Sequence, residues 1–171
     1  TLCINNTSVV KFKKNNLVNK AYGSTINNSF KIFDVGRAED KTNVVISATH
    51  NAYLDRFGYL HKRTIKFFKR NNDIVGNDLL IKKNGNTNVE YSIRFHLYPG
   101  ISTVKTISGK SILLQINKNK SWIFSSENQR IEVEKSLFLG GNKALNNQCI
   151  VIYGKTKDKD VNIEWKLKKA S

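Results

Sequence analysis

Proline is nearly absent from this chain: Pro99 is the only one in 171 residues. Cysteine is scarce as well, and Cys3 and Cys149 lie far apart with no CxxC pair. Two such cysteines exclude a disulfide-built scaffold. They are expected to be buried as small apolar residues; a bridge joining the first and last strands is the alternative, with nothing in the sequence to support it. The three histidines, His50, His61 and His96, fit neither a zinc-finger spacing nor an HExxH motif. No GxGxxG or GxxxxGK phosphate cradle occurs, nor a GxSxG elbow. The common enzyme motifs are therefore absent. No apolar run approaches the roughly 20 residues that span a bilayer, which argues against membrane insertion. No charged region followed by an apolar stretch opens the chain, so no signal peptide is visible. Thr1 leads straight into a strand-like pattern, and the expectation is a piece of something longer.

Acidic residues are few, 13 against 29 basic ones, and the net charge is +16. One reading is an anionic partner: nucleic acid, an anionic membrane or an acidic polysaccharide. The other is codon bias. Lysine supplies 23 of the basic residues and arginine six, and there are 22 asparagines, often doubled. Lys, Asn and Ile enrichment is what an AT-rich genome writes at permissive surface positions. The lysines are scattered along the sequence, whereas a nucleic-acid footprint clusters them, so no nucleic-acid partner is expected.

What the chain does have is alternation. Val89, Tyr91, Ile93, Phe95 and Leu97 are apolar, and Glu90, Ser92, Arg94 and His96 between them are polar. A period of two marks a strand with one face buried and one wet, and Pro99-Gly100 stops it. The same pattern recurs to the end of the chain, so disorder is not expected. Candidate strands are Leu2–Phe12, Ser29–Phe33, Asn43–Thr49, Arg63–Lys69, Asp73–Ile81, Val89–Tyr98, Thr103–Ser108, Ser111–Ile116, Ser121–Ser125, Arg130–Phe138, Cys149–Tyr153 and Val161–Leu167. Asn84-Gly85-Asn86 and Ser108-Gly109-Lys110 signal hairpins, and Asn71-Asn72-Asp73 and Gly140-Gly141-Asn142 fit turns. No convincing helical stripe of ten residues occurs. The expected fold is all-β: a large antiparallel two-sheet β-sandwich, of the supersandwich type, with little or no helix. A single domain over residues 1–171 is expected.

Thr49 to Arg63 packs two His, two Tyr and two Arg between two strands, where binding groups concentrate. In one reading Tyr53, Phe57 and Tyr59 cap the core and His50 is a satisfied structural histidine. In the other the stretch lines a site. Arg94 and His96 face one side of their strand, either as a cationic wall for an acidic sugar or as an ion-paired Arg and a sheet-capping His. Arg56 and Arg63 each offer a planar fork for carboxylate or sulfate, against solvated surface. Trp122 and Trp165 could stack on sugars, but sandwich cores bury such residues routinely.

His50-Asn51-Ala52-Tyr53, then Arg56 to Arg63, resembles the "HDGY…RFG…HRR" stretch of the heparinase II/III-like proteins. Val75-Gly76-Asn77-Asp78 resembles their "GED", and Arg94 to Gly100 their "RFHLHPG". Trp122-Ile123-Phe124 and Glu134 to Gly140 resemble the later "W.F" and "EES.YLG", and Thr1-Leu2 the end of an opening "HNTL" or "HSTL". The matches run in order over almost the whole chain. The resemblance implies the C-terminal β-sandwich of a polysaccharide lyase that acts by β-elimination on uronic acids, preceded by an α/α toroid absent from this chain. It implies catalytic residues mainly on that toroid. It further implies an acidic polysaccharide as partner, contacted by His50, Tyr53, Arg56, Arg63, Arg94 and His96. A divalent metal such as zinc or calcium, with His50 as ligand, is the cofactor it suggests for the parent protein, and the periplasm or cell envelope of a bacterium is the compartment. The family's Asp and Gly after that histidine are here Asn51 and Ala52. A neutral amide orients an imidazole less well than a carboxylate, and alanine is costlier at positive φ than glycine. A non-catalytic carbohydrate-binding or structural sandwich is the alternative.

Overall fold

Val161, Ile163, Trp165 and Leu167 point to one side of their strand and Asn162, Glu164, Lys166 and Lys168 to the other. Ile163 and Trp165 are buried while Asn162 and Glu164 are exposed. That division, repeated along the chain, builds the molecule. The computed structural model describes residues 2–12, 20, 23, 26–27, 30–85, 88–140 and 143–170. Its elements are β1 (Leu2–Ile4), β2 (Lys11–Phe12), β3 (Ile26–Asn27), β4 (Ile32–Glu39), β5 (Asn43–His50), α1 (Leu54–Phe57), β6 (Tyr59–Phe68), β7 (Ile74–Lys82), β8 (Glu90–His96), β9 (Ser102–Lys105), β10 (Ser111–Asn117), β11 (Lys120–Ser125), β12 (Arg130–Phe138), β13 (Leu145–Lys155) and β14 (Val161–Lys169).

The strands form an eight-stranded sheet, β4-β5-β6-β7-β14-β11-β10-β9, and a four-stranded sheet, β1-β8-β13-β12, both antiparallel. β2 and β3 make a separate ribbon. The two larger sheets pack face to face as a β-sandwich, as expected. Leu2, Ile4, Tyr91, Ile93, Ile131, Ile150 and Ile152 from the small sheet meet Tyr59, Leu80, Ile112, Leu114, Phe124, Ile163 and Trp165 from the large one. Phe95 stands edge-on to Trp165 at 4.8 Å, and Phe124 stacks on it at 6.1 Å. Both cysteines are free, Cys149 buried and Cys3 half-buried. Trp165 is a core residue and Trp122 packs against the core. No helix of the described residues is long and apolar enough to cross a membrane.

Several boundaries differ from the sequence expectation. The strand expected over Leu2–Phe12 breaks at Asn5-Asn6, whose φ angles of 46° and 54° turn the chain, and the Thr7 hydroxyl donates to the Ile4 carbonyl at 2.6 Å. β6 starts four residues earlier than expected, at Tyr59, because Tyr59 and His61 continue the inward phase that Arg63 shares. Asn84-Gly85 does turn, with Gly85 at φ 73°, but it makes no hairpin. It carries the chain from β7 in the large sheet to β8 in the small one. Asn86, Gly141 and Asn142 lie outside the described residues. Ser108-Gly109-Lys110 closes the β9–β10 hairpin, with Gly109 at φ 69°.

Candidate functional site

The eight-stranded sheet is wider than the four-stranded one. Its core-facing side carries Ile46, Ala48 and His50 on β5, then Ile65, Arg63 and His61 directly opposite on β6, then Gly76, Asp78 and Leu80 on β7. Towards β4 this face opens to solvent as a shallow, mostly apolar groove, lined by Val35, Arg37, Ile46, Ala48, Arg63 and Ile65. Ile46 is 46% exposed and Val35 73%. The groove and the polar residues beside it are the candidate site.

The β5–β6 connection is a single turn of helix. Gly58 ends it at φ 74°, its N–H donating to the Leu54 carbonyl at 2.8 Å. A Cβ there would lie 1.9 Å from the Asn84 carbonyl oxygen, so only glycine fits. Asn51 ties the turn to the start of β4: its side-chain oxygen accepts the Lys31 N–H at 2.7 Å, and its own N–H donates to the Lys31 carbonyl at 3.2 Å. Ala52 is not among the residues with positive φ, so the departure from glycine at this position brings no strain.

His50 and His61 face each other at the closing end of this hairpin. His50 Nε2 lies 3.0 Å from His61 Nδ1, and His61 Nε2 lies 2.7 Å from Asp78 Oδ1. The Ala52 N–H donates to His50 Nδ1 at 3.3 Å. These contacts fix both tautomers. His50 Nδ1 must accept, so its proton sits on Nε2 and is donated to His61 Nδ1. His61 then carries its proton on Nε2 and donates it to the carboxylate. Asp78 is 0% exposed. It also accepts from Arg63 Nε at 2.7 Å and Nη2 at 3.1 Å, and from the Trp165 indole N–H at 2.9 Å. The indole reaches it because residue 76 is glycine: a Cβ on Gly76 would lie 2.0 Å from the Trp165 ring.

The electrostatics follow from this wiring. Burial by itself would raise the Asp78 carboxyl, but the hydrogen bonds from His61 and Arg63, with the charge of Arg63, outweigh it and hold the pKa below the ordinary carboxylate range. Desolvation, then the neighbouring His61 and Arg63, push His50 down to about 4. At neutral pH His50 is an uncharged imidazole, and Arg63 and Asp78 cancel each other.

The sequence-derived site residues fall in two places. His50, Tyr53, Arg56 and Arg63 belong to the hairpin and its turn. Tyr53 is fully buried, and its hydroxyl donates to the Leu2 carbonyl at 2.8 Å. Its ring sits 5.6 Å from that of His50, so it supports the imidazole and has no open face. Burial pushes its phenol above the ordinary range. Arg56 is exposed and lies over the Phe57 ring at 5.3 Å. Arg94 and His96 share one face of β8, as the alternation predicts, but it is the outer face of the small sheet, on the far side of Tyr91, Ile93 and Phe95. There Arg94 reaches the Ser92 hydroxyl and lies 3.8 Å from Glu134, and His96 Nδ1 lies 2.9 Å from the Ser136 hydroxyl.

Sequence reasoning missed His61 as a partner of His50, and Asp78 as the anchor of both. The available signal was phase: Asp78 alternates with Gly76 and Leu80, so a carboxylate stands where the strand turns inward. As for a metal, both His50 nitrogens are engaged within the chain, and the described residues contain no group of three or more His, Cys, Asp or Glu able to hold an ion. The described residues thus do not fit a metal centre by themselves, and no step is derived through one.

Comparison with known proteins gives a consistent picture. The family described as "Heparinase II/III-like, C-terminal" matches residues 1–166. Among solved structures, the heparan sulfate lyase HepC from Pedobacter heparinus superimposes with a TM-score of 0.70 at 13% identity, covering 82% of this chain and 22% of that one. A second structure, titled Heparinase III-BT4657 gene product, gives 0.68 at 10% identity, covering 84% and 22%. At these identities the likeness is one of fold. The chain therefore spans about a fifth of the length of these lyases. No curated protein matches the sequence.

Proposed function

Because this chain belongs to the heparinase II/III-like family, over the C-terminal domain that residues 1–166 match, we propose that it is the sandwich part of a polysaccharide lyase acting on uronate-containing chains by β-elimination. The family match is the observation that carries this reading. The similarity in fold to heparan sulfate lyases points to an acidic glycan as substrate, and a net charge of +16 favours encounter with one.

The chemistry sets three requirements. The C5 proton beside the uronate carboxylate is a weak acid, so the carboxylate must be neutralised as negative charge develops. A base must remove the proton, and a proton must reach the leaving oxygen. On this reading the proton-transferring groups lie mainly on the α/α toroid that completes the parent protein, and the sandwich alone is silent. His50 is this chain's contribution. Its ring is neutral at working pH and held in one orientation by His61 and, through it, by Asp78. Arg63 shares its charge with Asp78 and keeps the pair neutral, and on this reading the imidazole meets the substrate by giving up the long 3.3 Å bond from the Ala52 N–H.

A second reading is a non-catalytic, carbohydrate-binding or structural sandwich. It is favoured by one observation: both His50 nitrogens are already engaged. The test is turnover by the full-length parent on heparan sulfate and other uronate polymers, followed by ultraviolet absorbance of the unsaturated product. The lyase reading expects turnover, and a loss of roughly a hundredfold or more in kcat for His50→Ala with the fold retained. No product on any uronate polymer from folded parent protein overturns it. Unchanged kcat in His50→Ala leaves His50 as scaffold.

A further inference from the structure

We propose a second, distal binding site for anionic polysaccharide at the opposite end of the large sheet, where three segments far apart in sequence bring unpaired cations together. This deepens the lyase reading and rests on it for the class of ligand. The lysines look scattered along the chain, but the topology gathers them. β14 runs between β7 and β11, and its end lies between the β6–β7 turn and the β10–β11 turn. A depression there is lined by Arg70, Asn71 and Asn72 from the first turn, Asn119 from the second, and Lys168 and Lys169 from β14. Lys118 and Lys120 flank Asn119 in the same turn and are exposed.

The lining carries three cations, Arg70, Lys168 and Lys169, against the single carboxylate of Asp73. Among the described residues, Arg70, Lys168 and Lys169 make no ion pair, whereas Lys69 beside them is bound to Glu39 and Lys166 to Glu164. The one carboxylate in the lining, Asp73, accepts from the Asn71 amide at 2.7 Å. Arg70, Lys168 and Lys169 are all exposed, so each head group is free to reorient toward a ligand.

The mixture of groups selects the ligand. Cations suit carboxylate and sulfate, and asparagine amides suit sugar hydroxyls, being donors and acceptors at once. Single-stranded nucleic acid would need an open aromatic platform for its bases. Phe68, the ring closest to the depression in sequence, is half-buried with Lys66 Nζ over it at 4.8 Å. The site is separate from the histidine pair: His61 is the third residue of β6 and Phe68 ends it, a span of roughly 23 Å at about 3.3 Å per residue. A long acidic chain could be held here while another stretch of it is processed.

The test uses the full-length protein and the triple variant Arg70→Ala, Lys168→Ala, Lys169→Ala. We expect its retardation in heparan sulfate gels at moderate salt to fall by about fivefold or more, as loss of three ionic contacts implies. The KM for long polymer rises in parallel, while kcat on short oligosaccharides and the thermal midpoint stay unchanged. The charge-conserving Arg70→Lys, Lys168→Arg, Lys169→Arg variant retains binding. Unchanged retardation of the alanine variant overturns the distal site. So does a loss of retardation confined to single-stranded DNA or to anionic vesicles, which assigns the patch to a different partner. If no polymer is turned over and yet glycan retardation depends on these residues, the distal site stands and the lyase reading falls. Turnover with unchanged retardation has the reverse meaning.

Discussion

Replacing Asp78 by asparagine asks how much of this fold depends on one buried carboxylate. The carboxylate accepts four hydrogen bonds, from His61, Arg63 twice and Trp165, at 0% exposure. An asparagine keeps one oxygen and turns the other acceptor into a donor aimed at a donor. The Arg63 guanidinium, half-buried, loses its counter-charge. Removing one partner of a buried pair costs about 3–5 kcal/mol, because the remaining charge is left uncompensated. For a domain of this size each kcal/mol lowers Tm by about 2–4 °C, so a fall of roughly 6–20 °C is expected. Urea unfolding should show a lower midpoint with an unchanged slope. The pH dependence supplies an internal check. The Asp78 pKa is lowered in the folded state, so its stabilisation is present above the unfolded carboxyl pKa of about 3.9 and is lost as pH falls through the folded value. Asp78→Asn removes that part of the acid dependence. A variant within about 1 kcal/mol of wild type would refute the reasoning, since a carboxylate with these partners cannot be exchanged so cheaply.

His50 gives a second acid signature in a different window. Its pKa sits at about 4 when folded, against an ordinary 6.5, so the unfolded chain binds a proton that the folded chain refuses. Its stabilisation is full above pH 6.5 and is lost as pH falls toward 4, a change of up to roughly 3 kcal/mol. Urea midpoints of wild type and His50→Gln across this range measure it, and identical curves would contradict the assignment. Gly76→Ala forces the Trp165 ring aside, because the new Cβ would sit 2.0 Å from it. Overpacking, with the loss of the indole bond to a carboxylate, makes a cost of roughly 3–5 kcal/mol. It should be accompanied by altered near-ultraviolet circular dichroism, and a variant with wild-type stability and spectrum would show that the close approach does not hold in solution.

The extent to which the sequence revealed this structure varies by element, for physical reasons. β12 was expected over Arg130–Phe138 and is found there, and β14 gains only Lys168 and Lys169, because both strands alternate cleanly. β13 is longer than its apolar stretch: Leu145 to Gln148 carry no apolar alternation, but their backbones complete the pairing with the end of β12. The Asn84-Gly85 turn was recognisable, but its role as a crossover was not. A turn records its own dihedral angles and says nothing about which sheet the chain enters next. The candidate site was half visible. His50 and Arg63 stood out in a dense stretch, while Asp78, 15 residues beyond Arg63, joins them only through sheet register. Arg94 and His96 were correctly placed on one side of their strand. That they lie on the outer face of the small sheet, a layer away from His50, is a fact of layering, which no single strand records.

The one-way ordering of donors from Ala52 through His50 and His61 to Asp78 has a consequence for proton handling. A proton entering at His50 Nδ1 must first displace the Ala52 N–H that this nitrogen accepts. Taking up acid there therefore also unfastens the turn that follows β5. The charge state of the ring and the anchoring of that turn are one event.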